Sequence, residues 1–288
     1  MKRSRLIASC ILALSLFKSV EGYSQRFYDR QEYGLSAAAT QYFGDLNPDY
    51  GFNTIKPAGG VFYRYYFNPY ISTRFNLMYG QIAGDDKNAT HDFEKARNLN
   101  FKSNFLEASV VGEFNFFYFQ TGNPDHRFTP YITLGVGGIY ANPFTEYGGR
   151  KIFLQPLGTE GQNMEAYKDR QYHKVNVVIP VGAGVKYWIS PGVNLGFELV
   201  HRFTTTDYLD DVSTTYVGAE RFLSSNGGSS YARILQDRSD LGNGQKLGRE
   251  GKQRGNSATK DQYFMAQLTL SFQFKTYKCP SYEGQFWQ

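Results

Sequence analysis

Cysteine is almost absent from the sequence, and so is any long apolar run. The 288 residues include only two cysteines, Cys10 and Cys279, which excludes both a disulfide framework and a zinc site of paired cysteines. No stretch approaches the roughly 20 apolar residues that a membrane-spanning helix needs, so a bundle of such helices is excluded as well.

Aromatic residues and glycine are abundant instead. The chain has 23 tyrosines, 24 phenylalanines and 30 glycines, but only 4 methionines. So many aromatic residues are incompatible with a disordered protein, and the length allows one large domain or two small ones. Because aromatic residues favour strands, this composition indicates a protein built from many β-strands.

The first 22 residues have the pattern of a secretory signal peptide. A basic start, with Lys2, Arg3 and Arg5, precedes an apolar run over residues 6–17, and small residues lead to a predicted cleavage after Gly22. The alternative is a lipoprotein signal, because residues 7–10 resemble its cleavage box. The apolar run continues for seven residues beyond Cys10, however, so cleavage there would leave only a stub. We therefore expect an exported chain that begins at residue 23.

Cleavage after Gly22 also changes the charge and the thiol content. It removes four cations and one acid, which lowers the formal net charge from +5 to +2. A nearly neutral chain gives no electrostatic reason to expect nucleic-acid binding. Cys279 then remains as the one thiol, either reduced or paired with a partner.

Alternation of apolar and polar residues runs through most of the remaining chain. In the clearest case, Leu106, Ala108 and Val110 share one face, and Glu107 and Ser109 share the other. This period of two indicates strands with two unlike faces. Eight such segments are present, at about 32–43, 60–67, 71–79, 106–116, 130–141, 175–185, 195–204 and 264–274.

The connections between these segments alternate in length. Short or modest turns at 68–69, 118–129 and 190–192 alternate with long connections at about 44–59, 80–104, 142–171 and 205–261. Short periplasmic turns and long outer loops are typical of an even-stranded membrane barrel. We predict an all-β fold over residues 23–275, an eight-stranded antiparallel transmembrane β-barrel, followed by a periplasmic tail at 276–288.

A soluble eight-stranded barrel or sandwich is the alternative fold. It would have to cover the apolar face of its strands with a second element. No amphipathic helical segment in the sequence could pack there, and a soluble fold has no reason to sort its loops by parity. The membrane barrel accounts for both observations.

The polar positions of the strands predict a charged interior. An eight-stranded barrel has room inside for side chains only, so buried charges must pair with one another. The predicted interior charges are Arg64, Arg74, Lys186 and Arg202 with Glu107, Glu113 and Glu198. We expect them to form a neutralised plug, with a selective pore as the alternative.

No arrangement of residues specifies catalysis or metal binding. His91 and His126 lie in connections, and His173 and His201 have the parity of lipid-facing residues. His201 with Asp210 and Asp211 could form part of a catalytic set, but no nucleophile is specified. The acidic pairs at 85–86 and 210–211 lack the spaced ligands of a calcium loop, so we interpret them as solvated loop charge. We predict no enzyme activity, cofactor or metal site.

The last outer loop differs from the rest in composition. Residues 218–260 are rich in Gly, Ser, Asn, Arg and Lys and show no periodicity. Such a segment buries too little apolar surface to order itself. We expect it to be mobile, at least when no partner is bound.

Two outer-loop motifs carry a specific resemblance. One is Gly158-Thr159-Glu160-Gly161-Gln162, and the other is Asp207-Tyr208-Leu209-Asp210-Asp211-Val212-Ser213. With the strands around them, from about residue 30 to 275, they resemble the PorG-like family of outer-membrane barrels found in Bacteroidetes. The strand pattern is common to barrels in general, whereas the two loop motifs are specific.

The resemblance implies a component of the type IX protein secretion system without catalytic activity. It also implies association, from the outer membrane, with a periplasmic ring built of a lipoprotein and its partner protein. The two motifs lie in outer loops, so we expect both to fold over the barrel mouth. There Glu160, Asp207, Asp210 and Asp211 would pair with loop or interior Arg and Lys residues, a packing role in preference to partner contact.

Contact with the ring should come from the periplasmic side. The candidate surfaces are the short turns and the tail at 276–288, where Cys279, Phe286 and Trp287 could form a docking segment. We therefore expect a non-enzymatic secretion subunit whose partners are outer-membrane lipid and the ring proteins, with no nucleic acid or small-molecule substrate. The alternatives are a stand-alone barrel that binds an external ligand or surface, and a lipid-modifying enzyme with a rim His-Ser or His-Asp pair that the sequence does not show.

Overall fold

The computed structural model describes residues 30–190, 192–222, 230–239, 241 and 245–274. The predicted signal peptide at 1–22 and the tail at 276–288, with Cys279, Phe286 and Trp287, lie outside these residues. The predicted eight-stranded antiparallel barrel lies inside them.

Eight antiparallel strands close into a barrel. Eight of the nine strands pair in chain order, with the sixth strand left out of the ring, and the last of them pairs back onto the first. Closure leaves none of the eight without a partner on either side, which is the requirement for strands in lipid. The strands are β1 (Gln31–Phe43), β2 (Lys56–Tyr66), β3 (Ile71–Asp85), β4 (Asn100–Asn115), β5 (Phe128–Tyr147), β6 (Arg150–Phe153), β7 (Val175–Ser190), β8 (Val193–Thr204) and β9 (Gln262–Phe272).

The ninth strand, β6, was not predicted. It forms a hairpin with the end of β5 through Gly148 and Gly149, which both have positive φ angles (58° and 75°). Glycine adopts that conformation without strain. The hairpin extends the wall of the barrel on the long-loop side.

Among the described residues, helices are short and occur only in the connections. They are α1 (Asp92–Arg97), α2 (Ser230–Gln236) and 3-10 turns at Asp86–Asn88, Pro124–His126, Gln155–Leu157, Glu165–Arg170 and Ala219–Phe222. Asn98 ends α1 in the left-handed conformation, and its N–H donates to the Glu94 carbonyl. In the described part of the chain, no helix is long and apolar enough to cross a membrane.

The two faces of each strand have the predicted environments. Along β4, Glu107 and Glu113 are buried, whereas Leu106 and Val110 are exposed. The outer surface is a belt of apolar side chains, with Leu134 63% and Leu268 55% exposed. A soluble monomer rarely exposes a continuous apolar surface of this kind, so the belt is the lipid-facing surface of a membrane barrel.

Several strands are longer than the sequence predicts. β5 was expected at about 130–141 and runs from Phe128 to Tyr147, and β4 begins at Asn100. Their outer ends carry polar side chains on the outward face, including an ion pair of 2.9 Å between Lys102 Nζ and Glu146 Oε1. At these ends the outward positions are polar, and apolar side chains such as Phe101 and Phe105 face the interior. The hydrophobic parity is therefore reversed relative to the lipid-facing part, so the strands continue where the predicted pattern stops.

The parity of the connections is confirmed. Three are short or modest, at 67–70, 116–127 and 191–192, and four are long, at 44–55, 86–99, 148–174 and 205–261. At the first turn, the Asn68 side chain accepts hydrogen bonds from the N–H groups of Tyr70 and Ile71, both at 2.8 Å. The four long connections meet at one mouth of the barrel, and we call their described residues the lid.

A charge placed in the apolar belt tests its contact with lipid. Leu134→Arg should destabilise the barrel by about 2–4 kcal/mol in phospholipid vesicles, because Leu134 is midway along the membrane-facing part of β5. Tyr140→Arg, on the same outward face at the long-loop end of the belt, should cost less than about 1 kcal/mol. Denaturant titration of both variants in vesicles measures the difference. An unchanged free energy of unfolding for Leu134→Arg would contradict a lipid-facing belt.

Candidate functional site

The predicted interior charges all lie inside the barrel. Each of the seven side chains is at most 3% exposed. They come from β2, β3, β4, β7 and β8, always from the inward parity of the strand. With Glu32 of β1, which is fully buried, they form what we call the plug: Glu32, Arg64, Arg74, Glu107, Glu113, Lys186, Glu198 and Arg202.

Glu113 is the centre of the plug. Its Oε2 atom lies 2.8 Å from Arg64 Nε and 2.5 Å from Lys186 Nζ. Its Oε1 atom lies 3.2 Å from Arg74 Nη1. One carboxylate therefore contacts three of the four interior cations.

The remaining plug charges pair around this centre. Arg74 Nη2 lies 2.8 Å from Glu198 Oε2, and Arg202 Nε lies 2.7 Å from Glu107 Oε2. Such pairing is what makes buried charge tolerable, since an unpaired ion would carry its full desolvation cost.

Glu32 is the plug residue that sequence reasoning missed. It pairs with Arg64 Nη1 and accepts a hydrogen bond of 2.8 Å from the Tyr66 hydroxyl. Its segment shows a weak alternation, and only its inward parity could have indicated it. With Glu32 included, four acids balance four cations, so the plug is formally neutral.

Aromatic side chains fill the space between the ions. The ring of Tyr131 lies 4.3 Å from Lys186 Nζ and packs over Gly184, where a Cβ atom would be 2.8 Å from the Tyr131 ring. A larger residue at position 184 would displace this ring. The packing favours the predicted plug over a selective pore.

The short-turn end of the barrel is also covered. Phe119, from the connection between β4 and β5, is 3% exposed and packs with Tyr66 and Trp188. Nearby, the Thr121 hydroxyl lies 3.1 Å from Asn194 Oδ1. This connection therefore folds inward over the barrel mouth at the short-turn end.

An apolar layer separates the plug from the lid. Buried side chains from six strands form it, together with lid residues that include Leu209 and Val212 of the second motif. The most deeply buried strand residues of this layer are Tyr42, Ile82, Phe101, Phe105, Ile139, Val178, Tyr263 and Met265. This continuous core holds the lid onto the barrel mouth.

Glu160 joins the two sequence motifs. Its Oε1 atom accepts hydrogen bonds of 2.9 Å from Ser213 N and from Arg254 Nη1. Its Oε2 atom accepts one of 2.6 Å from the Thr214 hydroxyl. The prediction that the motif loops meet over the mouth, with Glu160 paired to a loop arginine, is confirmed.

The other residues of the first motif shape its turn. Gly158 and Gly161 have φ angles of 63° and 80°, in the left-handed region that favours glycine. Gln162 Oε1 accepts a hydrogen bond of 2.8 Å from Glu160 N. These contacts place the Glu160 carboxylate inside the lid.

The three aspartates of the second motif do not pair with cations, contrary to the prediction. Thr159 and Tyr172 donate to the Asp211 carboxylate at 2.5 and 2.6 Å, and Ser213 donates to Asp207 at 2.6 Å. Within the described chain, no Lys or Arg is within ion-pair distance of Asp207, Asp210 or Asp211. Hydroxyl and main-chain N–H groups occupy their oxygen atoms instead.

Asp210 takes part in a contact that joins both ends of the last outer loop to β1. The Tyr42 hydroxyl lies 2.7 Å from Asp210 Oδ2 and 2.6 Å from Asp261 Oδ1. A phenol has one proton, so it can donate to only one of them. The other must itself be protonated to donate to the phenol oxygen. Burial raises the pKa values of Asp210 and Asp261 well above the usual range, which favours such a shared proton.

Arg97 joins three loops of the lid. It pairs with Asp86 through two contacts of 2.7 and 2.8 Å, and it donates to the carbonyl groups of Asp45 and Arg254. The interpretation of residues 85–86 and 210–211 as solvated charge is therefore wrong for Asp86, Asp210 and Asp211, which are fully buried. Arg97 ends the short helix α1, and Arg254 and Asp261 lie in irregular segments, so no periodicity indicates that these side chains are buried.

The described residues of 218–260 are folded, which differs from the expectation of a mobile loop. They include α2 and the buried residues Ala232, Leu235 and Arg254. Arg254 Nη1 donates to the Asp211 carbonyl at 2.6 Å. The loop is ordered by contacts with the other lid loops, which its own composition does not show.

The histidines form no reactive set in the described residues. His201 lies on the outer face, as predicted, with its ring stacked on Phe43 at 6.1 Å and its Nε2 atom 2.6 Å from Gln262 Oε1. No group of three or more His, Cys, Asp or Glu residues has a metal-binding arrangement in this part of the chain.

The closed barrel, its apolar belt and its loop parity define an outer-membrane-type β-barrel with a plugged interior and a folded lid. Residues 9–217 match a family described as a domain of unknown function (DUF6089). The chain belongs to this family. The search of curated proteins found no match.

Solved structures with a similar fold are small barrels. Neisserial surface protein A is 12% identical, with a TM-score of 0.40, over 85% of this chain and 98% of that one. Ail, the attachment invasion locus protein of Yersinia pestis, is 11% identical, with a TM-score of 0.39, over 85% and 99%. The outer membrane protein OprG from Pseudomonas aeruginosa is 8% identical, with a TM-score of 0.37, over 88% and 100%.

The lid should loosen as pH rises. Burial raises the pKa of Asp211 to about 6, despite the opposing effects of Arg254, Thr159 and Tyr172. A folded-state pKa above the unfolded value of 3.8 means that the stabilisation is complete below pH 3.8 and is lost between there and about pH 6. Asp211→Asn should remove this loss and stabilise the lid at pH 7 by on the order of 1–3 kcal/mol.

Hydrogen exchange of lid amides, corrected for intrinsic rates, measures this effect. Glu165→Gln, which changes an exposed lid acid, should leave the pH dependence as in the unmodified protein. An Asp211→Asn variant with the same pH dependence as the unmodified protein would show that Asp211 does not carry the effect.

The pair of Glu160 and Arg254 should hold the lid closed. Arg254→Met leaves a buried carboxylate unpaired and should destabilise the lid by about 3–5 kcal/mol. The double variant with Glu160→Gln should recover part of this loss, because it removes the unpaired charge. Arg221→Met breaks a half-exposed pair with Glu250 and should cost less than about 1 kcal/mol. Equal costs for Arg254→Met and Arg221→Met, by hydrogen exchange, would refute the assignment.

Proposed function

We propose that this protein is a non-enzymatic outer-membrane barrel that serves the type IX secretion system as a structural or anchoring subunit. The secretion role comes from the resemblance of the two loop motifs to PorG-like barrels. The observation that carries the structural role is the convergence of both motifs on the buried Glu160 carboxylate. The residues that carry the resemblance thus build a closed lid.

The interior supports an anchoring role over a transport role. Four acids and four cations fill the lumen as a neutral plug, and each mouth is covered by its own connections. A substrate could cross this lumen only if the ion pairs around Glu113 separated, which would leave buried charges unpaired at several kcal/mol each. Secreted proteins would therefore pass beside this barrel.

The absence of enzyme activity is part of the proposal. The carboxylates of the lid are committed to structural hydrogen bonds, as with Asp211 to Thr159 and Tyr172. A general acid or base must instead be within reach of a substrate. The buried positions of Asp210 and Asp211 favour a structural role.

We place the contact with the periplasmic ring at the short-turn end of the barrel. Exposed aromatic side chains cluster there, with Phe67 52% and Phe117 54% exposed. Some of these belong to the interfacial belt that membrane barrels carry. The proposed docking segment is the tail at 276–288, with Cys279, Phe286 and Trp287, which follows the last strand in the sequence and lies outside the described residues.

A gene deletion tests the secretion role. Loss of several exported proteins from the medium, with their accumulation in the cell, is the expected result, and the full-length gene should restore secretion. An unchanged set of secreted proteins, with other outer-membrane proteins normal, would overturn the proposal. A chain truncated after residue 275 should reach the membrane but fail to recover the ring proteins by co-purification.

A further inference from the structure

The last outer loop carries an excess of positive charge. Residues 218–260 contain eight Lys or Arg residues and four Asp or Glu residues. Two of the cations are neutralised within the lid, Arg254 by Glu160 and Arg221 by Glu250. The excess therefore resides in the remaining six.

Five of these cations have no acidic partner among the described residues. In the part of the chain that the structure describes, no carboxylate lies within ion-pair distance of Arg233, Arg238, Lys246, Arg249 or Lys252. The nearby Asp237 is 6% exposed, and its two oxygen atoms accept hydrogen bonds from Ser239 N at 2.9 Å and Gly248 N at 2.7 Å. That acid holds the loop in shape.

The five cations line two adjoining clefts. Arg233, Arg238 and Lys246 line a cleft of about 510 Å³ beside α2, and the largely buried Asp237 also lies in its wall. Lys246 also lines a second cleft of about 270 Å³, together with Arg249 and Lys252. Because Lys246 is common to both, the two clefts form one basic surface on the lid, which we call the basic cleft pair.

The walls of the larger cleft add groups that suit a polar ligand with a carbon skeleton. Tyr147 and Ile234 present half-exposed apolar surface there. Gln236 is fully buried in the wall, and neither its amide nitrogen nor its amide oxygen has a partner among the described residues. An amide without a partner is costly, so the site has hydrogen-bonding capacity that the protein itself does not use.

We propose that the basic cleft pair binds a polyanion with two or more phosphate, sulfate or carboxylate groups. Like charges held together in a concave surface repel one another and focus a positive potential, which an anionic ligand relieves. Arginine forms paired hydrogen bonds with phosphate and carboxylate groups, and lysine adds a point charge. Two clefts that share Lys246 suit a ligand whose charges are separated by a short spacer.

The position of the clefts limits the source of the ligand. They are formed by the longest outer loop, so in the proposed orientation they face the outside of the cell. The ligand would be either the phosphorylated saccharide of a glycolipid in the same membrane or a soluble acidic polysaccharide. Both have the chemistry that the clefts recognise. This inference does not depend on the secretion role.

Calorimetric titration with inorganic tripolyphosphate tests the site. The full-length protein in phosphatidylcholine nanodiscs should bind the probe, with an affinity that weakens as NaCl rises from about 50 to about 300 mM. The variant Arg233→Gln/Arg238→Gln/Lys246→Gln should bind at least about tenfold more weakly. The matched control Lys87→Gln/Lys95→Gln/Lys168→Gln removes the same charge from exposed lid positions outside both clefts and should bind as the unmodified protein does.

Two results would overturn the proposal. One is no binding by the unmodified protein, and the other is an equal loss in the two triple variants, which would mean a diffuse charge effect. Lys246→Gln alone changes an exposed side chain and should give an intermediate loss if the triple variant fails to fold. Repeating the titration in nanodiscs that contain bisphosphorylated lipid A assigns the source: competition indicates the membrane glycolipid, and unchanged binding indicates a soluble polyanion.

Discussion

A closed antiparallel barrel in lipid must turn every second side chain of each strand into a narrow lumen. In this barrel the outward positions form the apolar belt, and several inward positions carry charged side chains. Charges without bulk water are tolerated only when they are paired. The arrangement around Glu113, in contact with Arg64, Arg74 and Lys186, satisfies this condition. The tight packing of the interior follows from it.

The lid solves the same problem with different chemistry. It has more buried acids than buried cations, so Asp210 and Asp261 share the Tyr42 hydroxyl, and Asp211 accepts from two hydroxyl groups. Protons and neutral donors replace cations as the stabilising partners. Burial raises the pKa of Asp45 to about 7 and that of Asp211 to about 6. The lid should therefore respond to pH in the range in which these acids titrate.

The distribution of charge between plug, lid and outer surface explains how a small barrel with a rigid interior can also bind a ligand at its surface. Interior charges neutralise one another, and the motif residues hold the loops together over the mouth. The cations of the basic cleft pair are left unneutralised by the described residues. A scaffold that satisfies its buried charges internally keeps its surface charge available for a ligand.

The eight strands, their faces, the loop parity and seven of the eight plug charges could be predicted from the sequence, because side-chain alternation and connection length are local properties of the chain. The tertiary structure alone decided the rest. Tyr42 and Asp261 are 219 residues apart, and Glu160 and Arg254 are 94 apart. Tyr42 lies at the end of β1, but Asp261, Glu160 and Arg254 lie in irregular loops that have no period to reveal which side chains are buried. Burial in the lid depends on how four separate loops pack together, and that packing is a property of the folded barrel mouth.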